Sequence, residues 1–93
     1  MAHKLGLHWT PRALSDFIRI VEYIKTANPL AANQFAASVQ HQVELLRQFP
    51  QLGKESLPGV RQLVVHTNYL LRYRVQQSSI VVLQLRHAAR KPA

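Results

Sequence analysis

Basic, acidic and imidazole side chains gather in the second half of the 93-residue chain. They are Lys54, Glu55, Arg61, Arg72, Arg74, Arg86, His87 and Arg90. Cleavage of RNA by attack of a 2′-hydroxyl on the adjacent phosphate requires a general base, a general acid and cations that stabilise the pentacoordinate phosphorus. Glutamate, histidine and arginine can fill these three roles, so the candidate catalytic residues for RNA cleavage are Glu55, Arg61 and His87.

The same side chains also have a structural interpretation. Lys54 and Glu55 can form a solvated loop pair, His87 can end a strand half-buried, and the arginines can be the polar face of a sheet. For catalysis we favour this interpretation, because the residue types are necessary for acid–base chemistry but not sufficient. For binding we do not, because so many cations without carboxylate partners indicate an anionic surface on another molecule.

The net charge is distributed unevenly along the chain. Residues 1–55 carry six basic and four acidic side chains, whereas residues 56–93 carry six basic side chains and no acidic one, so +6 of the formal +8 lies there. A field of one sign steers and holds anions such as phosphates or an acidic protein, and composition alone does not distinguish the two. We predict that the target binds a basic surface formed by Arg61, Arg72, Arg74, Arg86 and Arg90.

Length and composition restrict the class of protein. A chain with 47% hydrophobic content and this length fits one folded domain spanning residues 1–93. It has no cysteine, no pair of histidines at i and i+4, no serine nucleophile motif and no phosphate-binding glycine loop, so we expect neither a metal nor a cofactor. No stretch approaches the roughly 18 apolar residues of a membrane span, and no signal peptide is evident. We therefore expect a cytoplasmic protein without a membrane partner.

Two amphipathic helices precede the basic half of the chain. Thr10-Pro11 supplies an N-cap hydroxyl followed by proline at the first helical position. Apolar residues then recur at three- and four-residue spacing over residues 11–27, which is typical of a helix with one buried side. The remaining, polar side is predicted to hold Arg12, Asp16, Arg19, Glu22 and Lys25. Asn28-Pro29 repeats the cap-and-proline signal, and the same spacing continues up to the next proline. So short a connection predicts an antiparallel helical hairpin.

Strands flank this hairpin. Residues 3–9 alternate as a short first strand, and after the Pro58-Gly59 turn the apolar spacing drops to two. Three further strands are predicted over residues 61–66, 69–75 and 79–87, with short polar connections that imply consecutive antiparallel hairpins. Lys54 and Glu55 fall in the loop before them. The predicted fold is α+β: an N-terminal strand, an antiparallel helical hairpin, then a three-stranded antiparallel meander.

Alternation in the last two strands predicts which side chains share a face of the sheet. In the middle strand of the meander, one face holds Tyr69, Leu71, Tyr73 and Val75, and the other holds Leu70, Arg72 and Arg74. In the last strand, one face holds Val81, Leu83, Leu85 and His87, and the other holds Ile80, Val82, Gln84 and Arg86. We infer a sheet with one face under the helices and a partly open face that bears arginines.

Short motifs follow one another along the chain in a characteristic order. They are Trp9-Thr10 with Ala13 and Asp16, Tyr23-Ile24, Asn28-Pro29 with Ala32, Leu46 with Phe49-Pro50-Gln51-Leu52-Gly53, Pro58-Gly59-Val60-Arg61-Gln62-Leu63-Val64-Val65, Asn68-Tyr69, Tyr73-Arg74-Val75 and His87-Ala88-Ala89-Arg90. In their order and spacing, from about Leu7 to Arg90, the chain resembles the RelE/ParE superfamily of toxins from bacterial type II toxin–antitoxin modules. The resemblance implies the same small α+β fold.

The resemblance implies one of two targets, because members of this fold act either on the ribosome as mRNA endonucleases or on DNA gyrase. The ribosome-dependent members carry basic, acidic, histidine or tyrosine side chains near the C-terminal strand. This chain keeps Arg61 and His87, with Glu55 in the preceding loop, but has no tyrosine after Tyr73. Its ending, His-Ala-Ala-Arg, is similar to the ParE branch, which lacks a conventional nuclease centre. The favoured function is therefore inhibition of gyrase, and the alternative is ribosome-dependent cleavage of mRNA.

The resemblance to the ParE branch also implies a role in plasmid stabilisation and a partner, a ParD-like antitoxin. Its acidic, poorly ordered segment would fold onto the toxin and form a hetero-oligomer. An amphipathic antitoxin helix would bury apolar area along the helical hairpin and place carboxylates near Arg72, Arg74 or Arg86. A third possibility, from a different class, is a basic module that binds nucleic acid or protein without being toxic.

Overall fold

A computed structural model of the chain describes residues 4–89. The elements are strand β1 (Gly6–Trp9), helices α1 (Pro11–Ala27) and α2 (Pro29–Gln48), and strands β2 (Lys54–Leu57), β3 (Val60–His66), β4 (Tyr69–Gln76) and β5 (Ser79–His87). The predicted α+β class and the order of the predicted elements are confirmed. His3, in the predicted first strand, and Arg90, in the predicted basic surface, lie outside the described residues.

Capping residues determine where both helices begin. The Thr10 side chain accepts a hydrogen bond from the Ala13 N–H at 3.1 Å, and the Asn28 side chain accepts one from the Ala31 N–H at 3.1 Å. Each cap is followed by proline, whose missing N–H costs nothing at the first helical position. Asn28 also donates its backbone N–H to the Ile24 carbonyl, so one residue ends α1 and begins α2. This single connecting residue holds the two helices together as a hairpin.

The five strands form one mixed sheet in the order β1-β5-β4-β3-β2. β1 runs parallel to β5, and the other neighbours are antiparallel. The prediction that Lys54 and Glu55 lie in a loop is wrong, because both belong to β2, which extends the predicted three-stranded meander to four strands. All four residues of β2 are exposed. Such an edge strand is formed by backbone pairing alone, so its side chains carry no alternating apolar pattern to detect.

The predicted faces of the last strand are wrong in part, because β5 contains a β-bulge. Tyr73 pairs with Val82 and Arg72 pairs with Gln84, which leaves Leu83 as an additional residue. One additional residue moves every later side chain to the opposite face. The core face of β5 therefore holds Ile80, Val82 and Leu85, all buried.

The core lies between the helical hairpin and one face of the sheet. Its fully buried large side chains are Phe35, Val39, Val43, Leu46, Leu71, Tyr73, Ile80 and Val82. The predicted face of β4 that holds Leu71 and Tyr73 is therefore the core face. Neither helix has the length and hydropathy that crossing a membrane requires, judged over the residues that the structure describes.

Candidate functional site

The face of the sheet that points away from the helices carries three of the five predicted basic residues. Arg72 and Arg74 lie on β4, and Arg86 lies opposite Leu70 on β5. Residues directly opposite each other in antiparallel strands share a face. We call this surface the open face, and its residues on β3, β4 and β5 are Gln62, Val64, Leu70, Arg72, Arg74, Val81, Gln84 and Arg86. Each of them is at least partly exposed to solvent.

One row of polar side chains crosses the open face from edge to edge. Its members are Lys54 on β2, Gln62 on β3, Arg72 on β4 and Gln84 on β5, each opposite the next. All four carboxylates of the chain lie elsewhere: in α1, in α2, and at Glu55, which pairs with Arg61 on the other side of the sheet. Among the residues that the structure describes, Lys54, Arg72 and Arg74 on this face form no ion pair, as the charge distribution indicates.

Arg72 carries a donor that the fold leaves unused. Its Nε is buried and has no hydrogen-bond partner among the described residues. A buried donor of a charged group without a partner costs free energy, and such groups are rare in native proteins. The rest of the Arg72 side chain is partly exposed at the centre of the open face, so this arginine adds charge to the surface without adding a hydrogen bond to the fold through Nε.

Arg61 lies apart from the other predicted basic residues. It is opposite Tyr73, which points into the core, and its Nη1 donates to the Gly53 carbonyl at 2.6 Å. The Tyr73 hydroxyl donates to the Pro50 carbonyl at 2.8 Å and accepts from the Gly53 N–H at 2.9 Å. A side chain at Gly53 would meet Tyr73, since a Cβ there would lie 2.8 Å from its ring. Arg61 and Tyr73 thus hold the loop between α2 and β2 in place.

Burial also changes the acid–base behaviour of Tyr73. Removal of the hydroxyl from water raises the pKa of Tyr73 above its ordinary value of 10.0. The hydrogen bond from Gly53 and the positive charge of Arg61 act in the opposite direction and only partly compensate. Tyr73 therefore stays protonated at neutral pH and serves as a structural hydrogen-bond donor.

The three candidate catalytic residues are not gathered at one point. Glu55 and Arg61 pair across β2 and β3, whereas His87 pairs with Tyr69 at the other end of the sheet. Arg61 lies opposite Tyr73, so the two positions are four residues apart on β4, about 13 Å at the rise of a strand. The His87 ring contacts Tyr69 edge-on at 5.0 Å, and its Nδ1 accepts the Ala89 N–H at 3.1 Å.

The structure also contains a cleft that the sequence reasoning missed. It lies between α1 and the end of β5, has a volume of about 400 Å³, and is lined by Arg12, Asp16, Arg19, Ile20, Tyr23, Tyr69, Gln84, Leu85, Arg86 and His87. We call it the α1–β5 cleft. The signal in the sequence was the placement of Arg12 and Arg19 four residues before and three residues after Asp16 on one helix.

Asp16 is the anchor of this cleft, and its position corrects the amphipathic pattern, which places it on the polar side of α1. The residue is only 4% exposed. Its carboxylate accepts from Arg19 Nη2 at 2.6 Å, from Arg12 Nε at 3.3 Å, and from the Leu85 backbone N–H at 3.1 Å. The last bond explains the burial. β1 ends opposite Val82, so the β5 edge beyond it lacks a strand partner, and Asp16 supplies the acceptor.

An apolar groove lies on the opposite flank of α1. It has a volume of about 500 Å³ and is lined by Leu7, Trp9, Leu14, Phe17, Gln40, Val43 and Glu44. A shallower depression on α1 adjoins it and is lined by Pro11, Leu14, Ser15, Ile18 and Arg19. Leu14 and Ile18 are about half exposed, at 48% and 53%. Large apolar side chains exposed side by side mark an interaction surface.

Comparisons with known proteins agree with this fold. The family described as ParE toxin of type II toxin–antitoxin system, parDE, matches residues 7–92. The chain is 37% identical over 82 residues to Toxin RelE2 of Caulobacter vibrioides, covering 88% of this chain and 93% of that protein. It is also similar to a chain of the chromosomal ParDE TA system from P. aeruginosa, with a TM-score of 0.79, 26% identity, and coverage of 91% of this chain and 97% of that one. The chain belongs to the ParE toxin family of type II toxin–antitoxin systems, within the RelE/ParE superfamily.

Proposed function

We propose that this toxin inhibits DNA gyrase and thereby blocks replication. The observation that carries the proposal is the separation of His87 from Glu55 and Arg61. General acid–base catalysis requires each group within hydrogen-bond reach of the reacting atoms. The backbone positions of Arg61 and His87 lie about 13 Å apart along the strands, and the Arg61 guanidinium points to the Gly53 carbonyl, so the side chains do not converge on one point. A gyrase inhibitor needs a complementary surface and no such assembly. The family match to ParE toxins supports the same branch.

The open face is the surface that we propose for the contact with the target. It holds Arg72, Arg74 and Arg86 together, and the row across the sheet adds Lys54. Arginines are frequent among residues that dominate binding energy, because a planar guanidinium both stacks and forms paired hydrogen bonds. Arg61 contributes indirectly by holding the adjacent loop, and Arg90 remains a candidate contact by its charge.

A second function, cleavage of mRNA, also has support. The Caulobacter relative carries the name RelE2. The polar row also contains Lys54 and Arg72, which can donate hydrogen bonds to phosphate oxygens. Ribosome-dependent cleavage of mRNA is therefore the alternative. Both gyrase and the ribosome are cytoplasmic, so either target agrees with the expected location.

A pair of assays on the purified toxin separates the two functions. One measures supercoiling by DNA gyrase with scoring of cleaved DNA, and the other measures translation-dependent cleavage of mRNA on ribosomes. We expect inhibited supercoiling and intact mRNA. Codon-phased cuts in mRNA with normal supercoiling would show the alternative. Activity in neither assay would leave the third class, a basic binding module without toxicity.

A matched pair of variants tests the proposed contact surface. Arg74 on the open face and Lys25 in the last turn of α1 are both exposed cations on opposite parts of the molecule. We expect Arg74→Gln to raise the concentration needed to inhibit gyrase about fivefold or more, since loss of a central contact typically costs over 1 kcal/mol. Lys25→Gln should change it less than twofold. Equal effects would show only a response to net charge and would contradict a contact at the open face.

We also propose a ParD-like antitoxin as the partner that neutralises the toxin. The apolar groove beside α1 has walls of Trp9, Phe17 and Val43, which suit the apolar side of an amphipathic helix. The long-range positive field of the toxin would speed association with an acidic partner. Size-exclusion chromatography with light scattering on the toxin mixed with the protein encoded beside it should give a hetero-oligomer. Separate elution of the two proteins would contradict this partner.

A further inference from the structure

The α1–β5 cleft holds more positive charge than its own carboxylate neutralises. Its charged lining consists of Arg12, Arg19 and Arg86 against Asp16, which leaves a formal +2 with His87 neutral. The Asp16 carboxylate accepts hydrogen bonds from Arg12 Nε and from Arg19 Nη2. A guanidinium has five N–H donors, so most donors of these two arginines are not used by Asp16. The two side chains are 66% and 69% exposed, within reach of another molecule.

The cleft is also continuous with the apolar groove. Leu14 lines both the groove and the shallow depression on α1, and Arg19 lines both that depression and the cleft. A partner segment that crosses α1 therefore passes from an apolar surface to a cationic one. Arg19 follows Leu14 by five positions, which is about 7.5 Å along the helix axis and about 140° around it. A path over the helix surface is longer than the axial distance, and an extended chain covers it in about three to four residues.

We propose that the α1–β5 cleft binds a carboxylate side chain of the antitoxin, located about three to four residues from the apolar side chain that enters the groove. The proposal rests on the toxin–antitoxin function proposed above. It moves the expected antitoxin carboxylate from Arg72 and Arg74 to this cleft, which borders the open face at Gln84 and Arg86. Arg12 and Arg19 would form charge-assisted hydrogen bonds to the incoming carboxylate. Asp16 holds both guanidiniums in place before the partner arrives, which lowers the entropic cost of binding.

The chemistry of the cleft favours an acidic protein segment over nucleic acid. Asp16 repels any incoming anion, so the preference comes from the apolar part of the lining. The apolar and aromatic walls, including Ile20, Tyr23 and Leu85, suit the methylene groups of a glutamate or aspartate side chain. The adjoining apolar groove likewise offers nothing to a sugar-phosphate backbone.

The test compares two arginines on different surfaces. The probe is the full-length protein encoded beside the toxin, titrated calorimetrically into wild type, Arg19→Gln, Arg12→Gln with Arg19→Gln, and the open-face control Arg74→Gln. We expect Arg19→Gln to weaken binding about tenfold and the double variant about a hundredfold, with a smaller dependence on salt. The control should stay within about twofold. Equal losses for Arg19→Gln and Arg74→Gln, or binding within twofold of wild type for both cleft variants, would overturn the proposal.

Two further measurements keep the outcomes distinct. Thermal unfolding of Arg19→Gln, in which Arg12 still pairs with Asp16, separates loss of binding from loss of fold. Titration of a 20-base-pair DNA duplex identifies a nucleic-acid site: if the cleft variants lose DNA affinity but keep the antitoxin, the proposal is wrong. The gyrase assay is independent of the antitoxin. If the wild-type toxin leaves gyrase active but binds the antitoxin through Arg19, gyrase is not the target and the proposed role of the cleft is supported.

A double-mutant cycle then locates the carboxylate. Each acidic residue of the antitoxin is changed to its amide and combined with Arg19→Gln in the toxin. One acidic residue should couple to Arg19, so that the paired change costs no more than either single change. That residue should lie about three to four positions from an apolar residue whose truncation also weakens binding. Equal, additive effects from all acidic residues would overturn the assignment, since they would indicate attraction by net charge alone.

Discussion

The two faces of the sheet differ in whether their polar side chains find hydrogen-bond partners within the protein. On the core side, the Tyr73 hydroxyl bonds to Pro50 and Gly53, and Asp16 bonds to two arginines and the Leu85 N–H. On the open face, Arg72 has a buried Nε without a partner among the described residues. The same strands thus carry polar groups with partners inside the protein on one side and, on the other, the arginines that we propose to contact the target. Substitutions on the core side should reduce stability, and substitutions on the open face should reduce activity.

The largest loss of stability is expected at Asp16. Asp16→Ala removes the acceptor of the Leu85 N–H and leaves Arg12 and Arg19 without their carboxylate, so we expect unfolding free energy to fall by about 3 kcal/mol. Urea unfolding measures the change. Glu22→Ala on the exposed side of the same helix is the matched control, expected within about 0.5 kcal/mol. A similar loss for both variants would mean that helix α1, and not the buried network, is sensitive to charge.

The next effect is expected at Tyr73. Tyr73→Phe keeps the ring in the core but leaves the Pro50 carbonyl and the Gly53 N–H without their partner, at a cost of about 2 kcal/mol. Chemical denaturation of Tyr73→Phe beside wild type tests this. Tyr69→Phe, the same change at a half-buried tyrosine of the same strand, serves as the control and should lie within about 0.5 kcal/mol of wild type. An unchanged midpoint for Tyr73→Phe would show that the loop between α2 and β2 does not depend on this hydroxyl.

The raised pKa of Tyr73 predicts a smaller effect, seen only in base. Since the folded protein holds the phenolic proton more tightly than the unfolded chain, this stabilisation is complete below pH 10.0, the ordinary pKa. It is lost as pH rises above 10.0 through the raised folded pKa, so wild-type stability should fall more than that of Tyr73→Phe over this interval. Denaturant unfolding across that interval gives the comparison. Parallel curves for the two proteins would contradict the prediction.

The smallest change in stability is expected on the open face. Arg72→Met removes a buried donor that lacks a partner and keeps the aliphatic packing, so stability should stay within about 0.5 kcal/mol of wild type or rise. Inhibition of gyrase should weaken about fivefold or more in the same variant. This combination of retained stability with reduced inhibition is what the comparison of the two faces requires. Loss of both would place Arg72 among the residues that hold the fold.

Much of the fold could be predicted because the relevant signals are local. Thr10-Pro11 and Asn28-Pro29 start the helices as expected, since a capping side chain and the proline ring act within three or four residues. The β2 strand could not be predicted in this way. Lys54 and Glu55 are exposed, and they become a strand only because β3 offers backbone partners.

The candidate site was predictable in its charges and less so in its geometry. The concentration of arginines after Glu55 predicts an open face that bears Arg72 and Arg74, and the structure has them there. It does not predict that Arg61 turns toward the Gly53 carbonyl, nor that Leu83 forms a bulge that places Leu85 in the core. The α1–β5 cleft depends on that bulge and on the end of β1 opposite Val82.

The amino-acid sequence by itself determined the order of the elements, the helix caps, the position of the positive charge and membership of a toxin family. Each of these depends on residue types and on neighbours a few positions away. Only the tertiary structure decided which cations share a surface, which carboxylate is buried, and how far His87 lies from Arg61. Strand order and register bring together residues far apart in the chain, and a single bulge reverses the faces that alternation predicts.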